Sequence, residues 1–222
     1  MRVAALYDVH GNLPALEAVL AEVEQAQVDR IVLGGDVLAG PWPEETWARV
    51  EALGGRALVV RGNADRELDA WQELVRTWPL TVTLDVDGLG RVLFCHATPR
   101  SDEEILTAAT PEGRVREALG GVDADVVVHG HVHVRYDRRA GACRVVNPGS
   151  VGLPYEGRAG AYWAVLGPGV EFRRTEYDVD AMVAAARAAG YEDVDARFGP
   201  SLLEPVAPET VTQHFEALAR GA

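Results

Sequence analysis

The chain has 222 residues, of which 48% are hydrophobic, and it carries a formal net charge of −13 at pH 7. This length predicts one large domain or two small ones with a sizeable core, and the negative charge argues against a protein that follows nucleic acid by neutralising phosphates. Two cysteines, Cys95 and Cys143, do not make a disulfide framework. Because there is no signal peptide and no apolar run near the roughly 18 residues of a membrane span, we expect a cytoplasmic protein.

The first half of the chain alternates between short apolar runs and helical patterns. Three runs are typical of buried strands: 3–7, 31–33 and 57–60. Asn12 is expected to cap a helix with Pro14 in its first turn. Two further helices are predicted from their apolar spacing: one through residues 47–53 and one through residues 68–75.

The second half is rich in hairpin patterns. Three antiparallel pairs are predicted: 80–86 with 91–95, 132–138 with 143–146, and 162–166 with 170–177. A helical stretch is expected from about 102 to 119, and a buried strand at 126–128. Together the two halves predict two mixed sheets packed together with helices outside.

We expect a single domain over residues 1–222, with a core at about 1–177 and a helical tail at about 178–222. Apolar spacing predicts tail helices through residues 182–186 and near 211–218. The tail is either a dimerisation element or a covering helix, and the first of these alternatives would make the protein a homo-oligomer.

The most distinctive stretch is 126–133, where three valines lead into His129, Gly130, His131, Val132 and His133. In extended backbone His131 and His133 would project to the same side and could reach one small object together. Neutral imidazole is the commonest metal ligand, so we predict a metal ion there, with a solvated strand end as the alternative. His129 is expected to play a structural part rather than to be a ligand.

Polar side chains of the kinds that bind metals follow five predicted strands. Ligands in α/β sheets gather outside the carboxyl ends of strands, so these side chains are expected to converge. They are Asp8, His10, Asp36, Asn63, His96, His131 and His133. Seven ligands are too many for one ion and suit two, held roughly 3.5–4 Å apart.

Asp36 is expected to bridge the two ions, because it follows the second strand between the other contributors. Besides Asp36, one ion would be held by Asp8, His10 and His133, and the other by Asn63, His96 and His131. Mixed carboxylate, amide and imidazole ligands suit Mn or Fe, and also Zn, Co or Ni. Such a centre would attract an anionic phosphate ester and acidify a bridging water into a hydroxide nucleophile.

Six blocks of the sequence resemble the calcineurin-like metallophosphoesterase superfamily. In family order they are residues 8–12, 35–36 with 40–41, 62–65, 96–99, 130–133 and 147–152. The last block is similar to the branch of small bacterial and archaeal phosphodiesterases and dinucleoside polyphosphate hydrolases. The resemblance implies an α/β (α+β mixed) fold arranged as a four-layer αββα sandwich. It also implies a dimetal centre with the division of ligands given above, and hydrolysis of phosphate esters.

The chain departs from many family members at Ala64, where they carry a histidine thought to help protonate the leaving group. The small-phosphodiesterase branch commonly lacks this histidine too, so we do not infer inactivity. Asn63 and Asp65 are the candidate catalytic residues of this block. Asp65 is either the general acid or the N-cap of the following helix. Without an acid, the enzyme would favour good leaving groups such as phosphoanhydrides or aryl esters.

Candidate substrate contacts are Asn12, Arg100 and Tyr155. Asn12 could act near the first ion, although its capping role explains it as well. Arg100 could pair with a phosphate bidentately, and Tyr155 with Arg158 could stack on or clamp a base. The expected partner is a small, nucleotide-like phosphorylated substrate, with neither a membrane nor a stable nucleic-acid partner.

The predicted function is a dimetal-dependent phosphodiesterase or a nucleotide or dinucleoside-polyphosphate phosphohydrolase. A protein Ser/Thr phosphatase is the first alternative, and the short chain and Ala64 count against it. A non-catalytic scaffold on the same fold, as in a retromer subunit, is opposed by the intact ligand set. The acidic net charge weighs against a DNA nuclease.

Overall fold

Two five-stranded mixed sheets pack face to face in a computed structural model that describes residues 1–221. Ala222, the last residue of the predicted domain and tail, lies outside the described residues. From edge to edge, the first sheet consists of β10 (Val170–Thr175), β9 (Ala161–Leu166), β1 (Val3–Leu6), β2 (Arg30–Leu33) and β3 (Ala57–Val59). The second consists of β4 (Thr81–Val86), β5 (Gly90–Cys95), β6 (Val126–Val128), β8 (Cys143–Asn147) and β7 (Tyr136–Ala140).

Each sheet has three adjacent parallel strands. β1, β2 and β3 are parallel in the first sheet, and β5, β6 and β8 in the second. Antiparallel strands complete the first sheet at one edge, where β9 and β10 lie, and the second sheet at both edges. The parallel strands therefore deliver the loops that follow them to the carboxyl edge, where α/β proteins place their ligands.

Helices cover the outer faces of the two sheets. Within residues 1–221 the α-helices are α1 (Leu13–Ala26), α2 (Pro43–Glu51), α3 (Asn63–Arg66), α4 (Gln72–Val75), α5 (Glu112–Leu119), α6 (Val179–Ala188), α7 (Phe198–Leu203) and α8 (Pro208–Gly221). Leu16 of α1 packs on the outer face of the first sheet, and Val115 of α5 on that of the second. Tyr7 and Phe94 are buried between the sheets. These four layers confirm the predicted αββα sandwich.

The predicted helix over 102–119 is wrong in its first half, because the helix begins only at Glu112. Side chains hold the preceding loop instead. Asp102 accepts hydrogen bonds from Arg61 (3.2 Å) and Arg66 (3.1 Å). Pro111 stands at the N-cap of α5, as expected for a residue that has no N–H to donate.

Two other predicted elements also differ from the structure. The strand expected at 132–138 is wrong in its first half, because β7 spans Tyr136–Ala140. His133 has a φ of 55°, which is incompatible with extended backbone. The helix expected at 68–75 is broken into a 3-10 turn, Asp69–Trp71, and the one-turn helix α4.

The tail packs against the rest of the chain through an apolar cluster of its own. Met182 of α6 and Phe198 of α7 are buried with Leu153, which lies in the loop after β8. α8 is longer than the predicted 211–218 and spans Pro208–Gly221. No helix within residues 1–221 combines the length and apolar character that a membrane crossing needs.

Candidate metal centre

Loops after four parallel strands, β1, β2, β5 and β6, bring buried imidazoles and carboxylates to one point. Nε2 of His10 lies 3.2 Å from Nε2 of His133, which in turn lies 3.4 Å from Oδ1 of Asp8. On the other side, Nε2 of His96 lies 3.5 Å from Oδ2 of Asp36. None of these five side chains belongs to a residue more than 6% exposed. Such a cluster of unneutralised polar groups is costly to bury without a cation at its centre.

Backbone carbonyl groups orient three of the histidine rings. Nδ1 of His10 lies 3.2 Å from the Ala39 carbonyl oxygen, and Nδ1 of His96 lies 2.9 Å from that of Gly34. Nδ1 of His133 lies 2.6 Å from the Leu153 carbonyl oxygen. A carbonyl accepts only, so each Nδ1 carries the proton and each Nε2 presents its lone pair inward. A metal-binding histidine typically donates its other ring N–H to such an acceptor.

Backbone strain is concentrated in the same residues. Within residues 1–221, six non-glycine residues have positive φ, and Gln27 is the exception that lies outside the cluster. The other five, with φ from 50° to 68°, are Asp8, His10, Asp36, His131 and His133. The left-handed region costs roughly 1–2 kcal/mol for each such residue. Strain that persists at one place is typical of a functional site.

This conformation corrects the reason given for pairing His131 with His133. Neither residue is extended, so alternation along a strand does not bring them together. Two left-handed residues separated by Val132 turn the chain instead. The N–H of His131 donates to the Asp8 carboxylate, at 3.1 Å from Oδ2.

Two glycines allow the loops to approach this closely. A Cβ on Gly62 would lie 2.2 Å from Oδ1 of Asp36, and a Cβ on Gly130 would lie 2.5 Å from Oδ2 of Asp8. Any other residue at either position would displace a carboxylate of the cluster.

Burial favours the neutral form of two of the imidazoles, whereas the charges of Asp36 and Asp8 raise the pKa of His96 against the effect of burial. Burial lowers the pKa of His131 to about 3 and also lowers that of His10. Although burial opposes it, the charge and hydrogen bond of His133 lower the pKa of Asp8 to about 2. Burial raises the pKa of Asp36, so a cation close to that carboxylate would favour its charged form.

The predicted second set of ligands lies beside the first. The Asn63 amide lies 3.0 Å from Nε2 of His96 and 3.1 Å from Nδ1 of His131. Oδ2 of Asp36 lies between the sets, 3.8 Å from Nε2 of His10 and 3.5 Å from Nε2 of His96. Its Oδ1 already accepts the Ala64 N–H at 2.8 Å.

Two groups of residues each place one ligand atom apiece within 4.8 Å of one another. One group is Asp8, His10 and His133, and the other is Asp8, Asp36 and His96. Asp8 is thus shared between the groups, and Asp36 stands between the predicted sets. The donor types fit divalent transition metals, since imidazole and carboxylate together suit Mn, Fe, Co, Ni and Zn. Asp36 as the bridging ligand stays a prediction.

Asp65 lies beneath the centre and is fully buried. Oδ2 accepts the Val37 N–H at 3.1 Å, and Oδ1 accepts the Leu38 N–H at 2.8 Å. Burial, with the charge of Asp36, raises its pKa to about 7. It is not an N-cap, because it lies inside α3. This geometry favours a positioning role for the loop that carries Asp36, and the role as general acid stays a prediction.

The predicted substrate contacts have partners inside the protein. Asn12 is fully buried, accepts the Ala15 N–H at 3.2 Å, and donates to the Gly152 carbonyl at 2.9 Å, which confirms its capping of α1. Both nitrogens of the Arg100 fork bind Glu104, at 2.9 and 2.6 Å. These contacts favour structural roles, and binding of substrate by either residue stays a prediction.

The loop after β8 carries the other two candidates. Tyr155 stacks on His133 with ring centroids 5.1 Å apart and an angle of 13° between the rings. Arg158 points outward and pairs with Glu176 at 3.0 Å. Tyr155 is therefore beside the centre, while the guanidinium of Arg158 is bound at the surface.

The sequence analysis assigned no individual role to several residues that support the centre. Ser150 donates from Oγ to the Asp8 carbonyl at 2.8 Å, and Asn147 donates to the Gly130 carbonyl at 2.8 Å. Both lie in the 147–152 block, which was noted only as a family motif. His129 is buried, its Nε2 lies 2.5 Å from the Tyr136 hydroxyl, and it belongs to neither of the two groups of ligand atoms.

Comparison with known proteins gives relatives over most of the chain. The phosphodiesterase YfcE of Escherichia coli K12 is 28% identical over 173 residues, which cover 73% of this chain and 85% of YfcE. A metallophosphoesterase from Sphaerobacter thermophilus superposes with a TM-score of 0.70 at 26% identity, covering 90% of this chain and 98% of that one.

The protein PH1004 from Pyrococcus horikoshii, described as hypothetical, superposes with a TM-score of 0.74 over 87% of this chain and 95% of its own, and at 21% identity it supports the fold alone. The sequence model of the calcineurin-like phosphoesterase superfamily domain matches residues 1–166. This match confirms the resemblance drawn from the six blocks, and the chain belongs to the calcineurin-like phosphoesterase superfamily.

Proposed function

We propose that this protein is a metal-dependent phosphoesterase that hydrolyses phosphodiesters or nucleotide-like phosphate esters with two divalent ions, Mn or Fe. The observation that carries the proposal is the orientation of the three Nε2 atoms toward Asp8 and Asp36 by backbone carbonyls. Membership of the superfamily and similarity to a protein named phosphodiesterase support the reaction class.

The residues divide into ligands and groups that hold them. Asp8, His10 and His133 would hold one ion, Asn63, His96 and His131 the other, with Asp36 shared. When bound, the ions would supply an acidified water as nucleophile and positive charge for the phosphate oxygens. The chain itself fixes the imidazole tautomers, excludes bulk water from the ligands and holds the loop of Asp36 through Asp65.

Loading with metal provides the first test. We expect Mn²⁺ at about 100 times its dissociation constant to stabilise the fold by about 2.7 kcal/mol. For a domain of this size that corresponds to a rise in Tm of about 5–10 °C. Differential scanning calorimetry of the chelated and reloaded protein measures it, alongside hydrolysis of bis(p-nitrophenyl) phosphate and metal analysis.

Loss of all activity in fully reloaded protein, with Tm raised as expected, would favour the non-catalytic scaffold. An unchanged Tm would contradict the metal centre itself. Phosphate release from a phosphopeptide faster than from nucleotides would favour the protein phosphatase.

The leaving group provides the second test. Ala64 has no proton to give, and Asp65 is buried with both oxygens bonded to backbone N–H groups. We therefore expect kcat to depend steeply on the pKa of the leaving alcohol, because general acid catalysis contributes typically about 10²–10⁴-fold. This slope is measured by comparing kcat for a series of phosphodiesters that differ only in the leaving group, which ranges from substituted phenols to a simple alkyl alcohol. A flat dependence, with the alkyl ester as fast as the nitrophenyl ester, would show that an acid is present.

A further inference from the structure

The last helix, α8, lies outside the family match and meets one of the candidate ligands. The superfamily domain accounts for residues 1–166, whereas α8 spans Pro208–Gly221. The ring centroid of Phe215 on this helix lies 6.4 Å from that of His131, with an angle of 51° between the rings. Aromatic rings at this separation interact favourably. A segment that follows the family domain therefore packs against the metal centre within it.

His131 differs from the other three candidate imidazole ligands in how its ring is held. Each of the other three directs Nδ1 at a backbone carbonyl oxygen. Nδ1 of His131 instead lies 3.1 Å from the Asn63 amide, inside the ligand set. Within residues 1–221 the hydrogen bonds of His131 to Asp8 come from its backbone N–H, and none runs from its ring to a carbonyl. Its ring is therefore oriented by packing, between His96, with the ring centroids 5.2 Å apart, and Phe215.

The apolar core does not explain the position of Phe215. The residue is half-buried and belongs to none of the four apolar clusters in residues 1–221. Its aromatic neighbours in this part of the chain are His131 and the adjacent His214. Leu218 on the same helix is 48% exposed, so apolar packing does not decide how α8 lies. The ring of Phe215 is thus placed by the metal centre rather than by the core.

Polar contacts anchor α8. The carboxylate of Glu216 is buried and accepts hydrogen bonds from the hydroxyls of Thr107 (2.7 Å) and Thr110. Three residues further on, the Ala219 carbonyl accepts a hydrogen bond from Arg114 at 3.3 Å. A buried carboxylate is costly unless it is hydrogen-bonded, so these contacts hold the helix in one position. The aromatic ring of the preceding residue is held with it.

The loop that Glu216 holds, residues 102–111, contacts another candidate ligand. The Asp102 carbonyl oxygen of this loop lies 3.2 Å from the Asn63 amide. α8 therefore meets His131 directly and Asn63 through the loop. Both belong to the candidate set for the second ion.

We propose that Phe215 is a positioning residue for the second metal ion. Its ring holds the imidazole of His131 in the orientation that binds metal, and Glu216 keeps α8 in place. This inference rests on the proposed function for the presence of two ions, and it adds a part for the tail. Because Phe215 acts through His131, its effect should fall on one ion and not on the other.

Metal titration of the apoprotein tests this inference. Mn²⁺ is titrated by calorimetry into the wild type, F215A, F215Y, E216A and L218A, and the Tm of each apoprotein is measured. L218A shortens an exposed side chain of the same helix and is the matched control. N63A and H133A, each of which removes a candidate ligand of one ion, identify which binding event belongs to which ion. The absorption spectrum of bound Co²⁺ reports changes in the number and geometry of the ligands.

We expect F215A to weaken one of the two Mn²⁺ binding events by about 10-fold or more, since changes to groups that orient a metal-binding histidine typically cost about 10–100-fold in metal affinity. It should be the event that N63A weakens, and the event that H133A weakens should stay within about twofold of the wild type. E216A should weaken the same event as F215A, with the same change in the Co²⁺ spectrum. F215Y keeps the ring and should recover most of the affinity, and L218A should bind both ions like the wild type.

A residue that only supported the fold would lower the Tm of the apoprotein and leave the ratio of the two affinities unchanged. Two binding events in F215A within about twofold of the wild type, or equal weakening of both, would overturn the inference. Failure of the proposed function is a different result, in which the wild type binds both ions but hydrolyses no ester, while F215A still weakens one ion alone. A wild type that binds no second ion would overturn both.

Discussion

Asp36→Asn should abolish most of the activity while leaving the apoprotein folded. We expect hydrolysis of bis(p-nitrophenyl) phosphate to fall on the order of 10³-fold, the cost of losing a group that organises charge at the transition state. Metal content should fall from two ions per chain to one or fewer. Activity assays and metal analysis on the same preparation measure both.

The position of Asp36 explains the size of this effect. Oδ2 stands within 3.8 Å of Nε2 of both His10 and His96, one from each predicted ligand set, so its loss would uncouple both ions. Asparagine keeps the shape and still accepts the Ala64 N–H through its amide oxygen, but a neutral amide is a weak bridge between cations.

The apoprotein provides the control for folding. Burial raises the pKa of Asp36, so the folded chain without metal disfavours the charge, and a neutral amide should cost little there. In chelator the Tm of D36N should match that of the wild type, while the rise on adding Mn²⁺ should shrink. Asp85→Asn, which removes an equal charge from an exposed strand position, should change neither. Two tightly bound ions in D36N would show that the bridge is Asp8.

The sequence was sufficient to predict which candidate ligands come together, because strand order and residue type act together. Asp8, Asp36 and His96 each follow an apolar run, and parallel strands deliver their ends to one edge. The conformation of the ligands was not accessible in the same way. His131 and His133 reach the site through left-handed backbone, which costs energy locally and is held by contacts far away in the chain, such as the N–H of His131 on Asp8.

The remaining differences arise where side chains from distant segments decide the local structure. The 102–111 loop has helical apolar spacing, but Arg61 and Arg66 bind Asp102 and the tail carboxylate of Glu216 binds the loop threonines. A local pattern holds no information about such partners.

The role of Asp65 differs most between the sequence prediction and the observed structure. The sequence offered a general acid or a helix cap, whereas its carboxylate accepts the N–H groups of Val37 and Leu38, both residues being fully buried. These residues directly follow Asp36. A change at Asp65 is therefore expected to act on the ligand loop through these two N–H groups.

Asp65→Ala should cost about 2–6 kcal/mol of stability, because it leaves two buried N–H groups without acceptors at about 1–3 kcal/mol each. Urea unfolding in chelator measures this loss. Asp65→Asn should cost about half as much, since the amide keeps one acceptor and turns a donor toward the other N–H. Asp69→Asn, an exposed position in the following 3-10 turn, is the matched control and should be neutral.

The pH profile of kcat then separates positioning from acid catalysis. A general acid at Asp65 would give the wild type a falling limb on the basic side, and D65N would remove that limb. A positioning residue would instead lower kcat evenly across pH and weaken metal binding, because the loop of Asp36 is less well held. We expect the second result, with activity in D65N partly restored by excess Mn²⁺. The activity of D65N in excess Mn²⁺ distinguishes the two roles, since added ions can occupy a site of weakened affinity but cannot replace a missing proton donor.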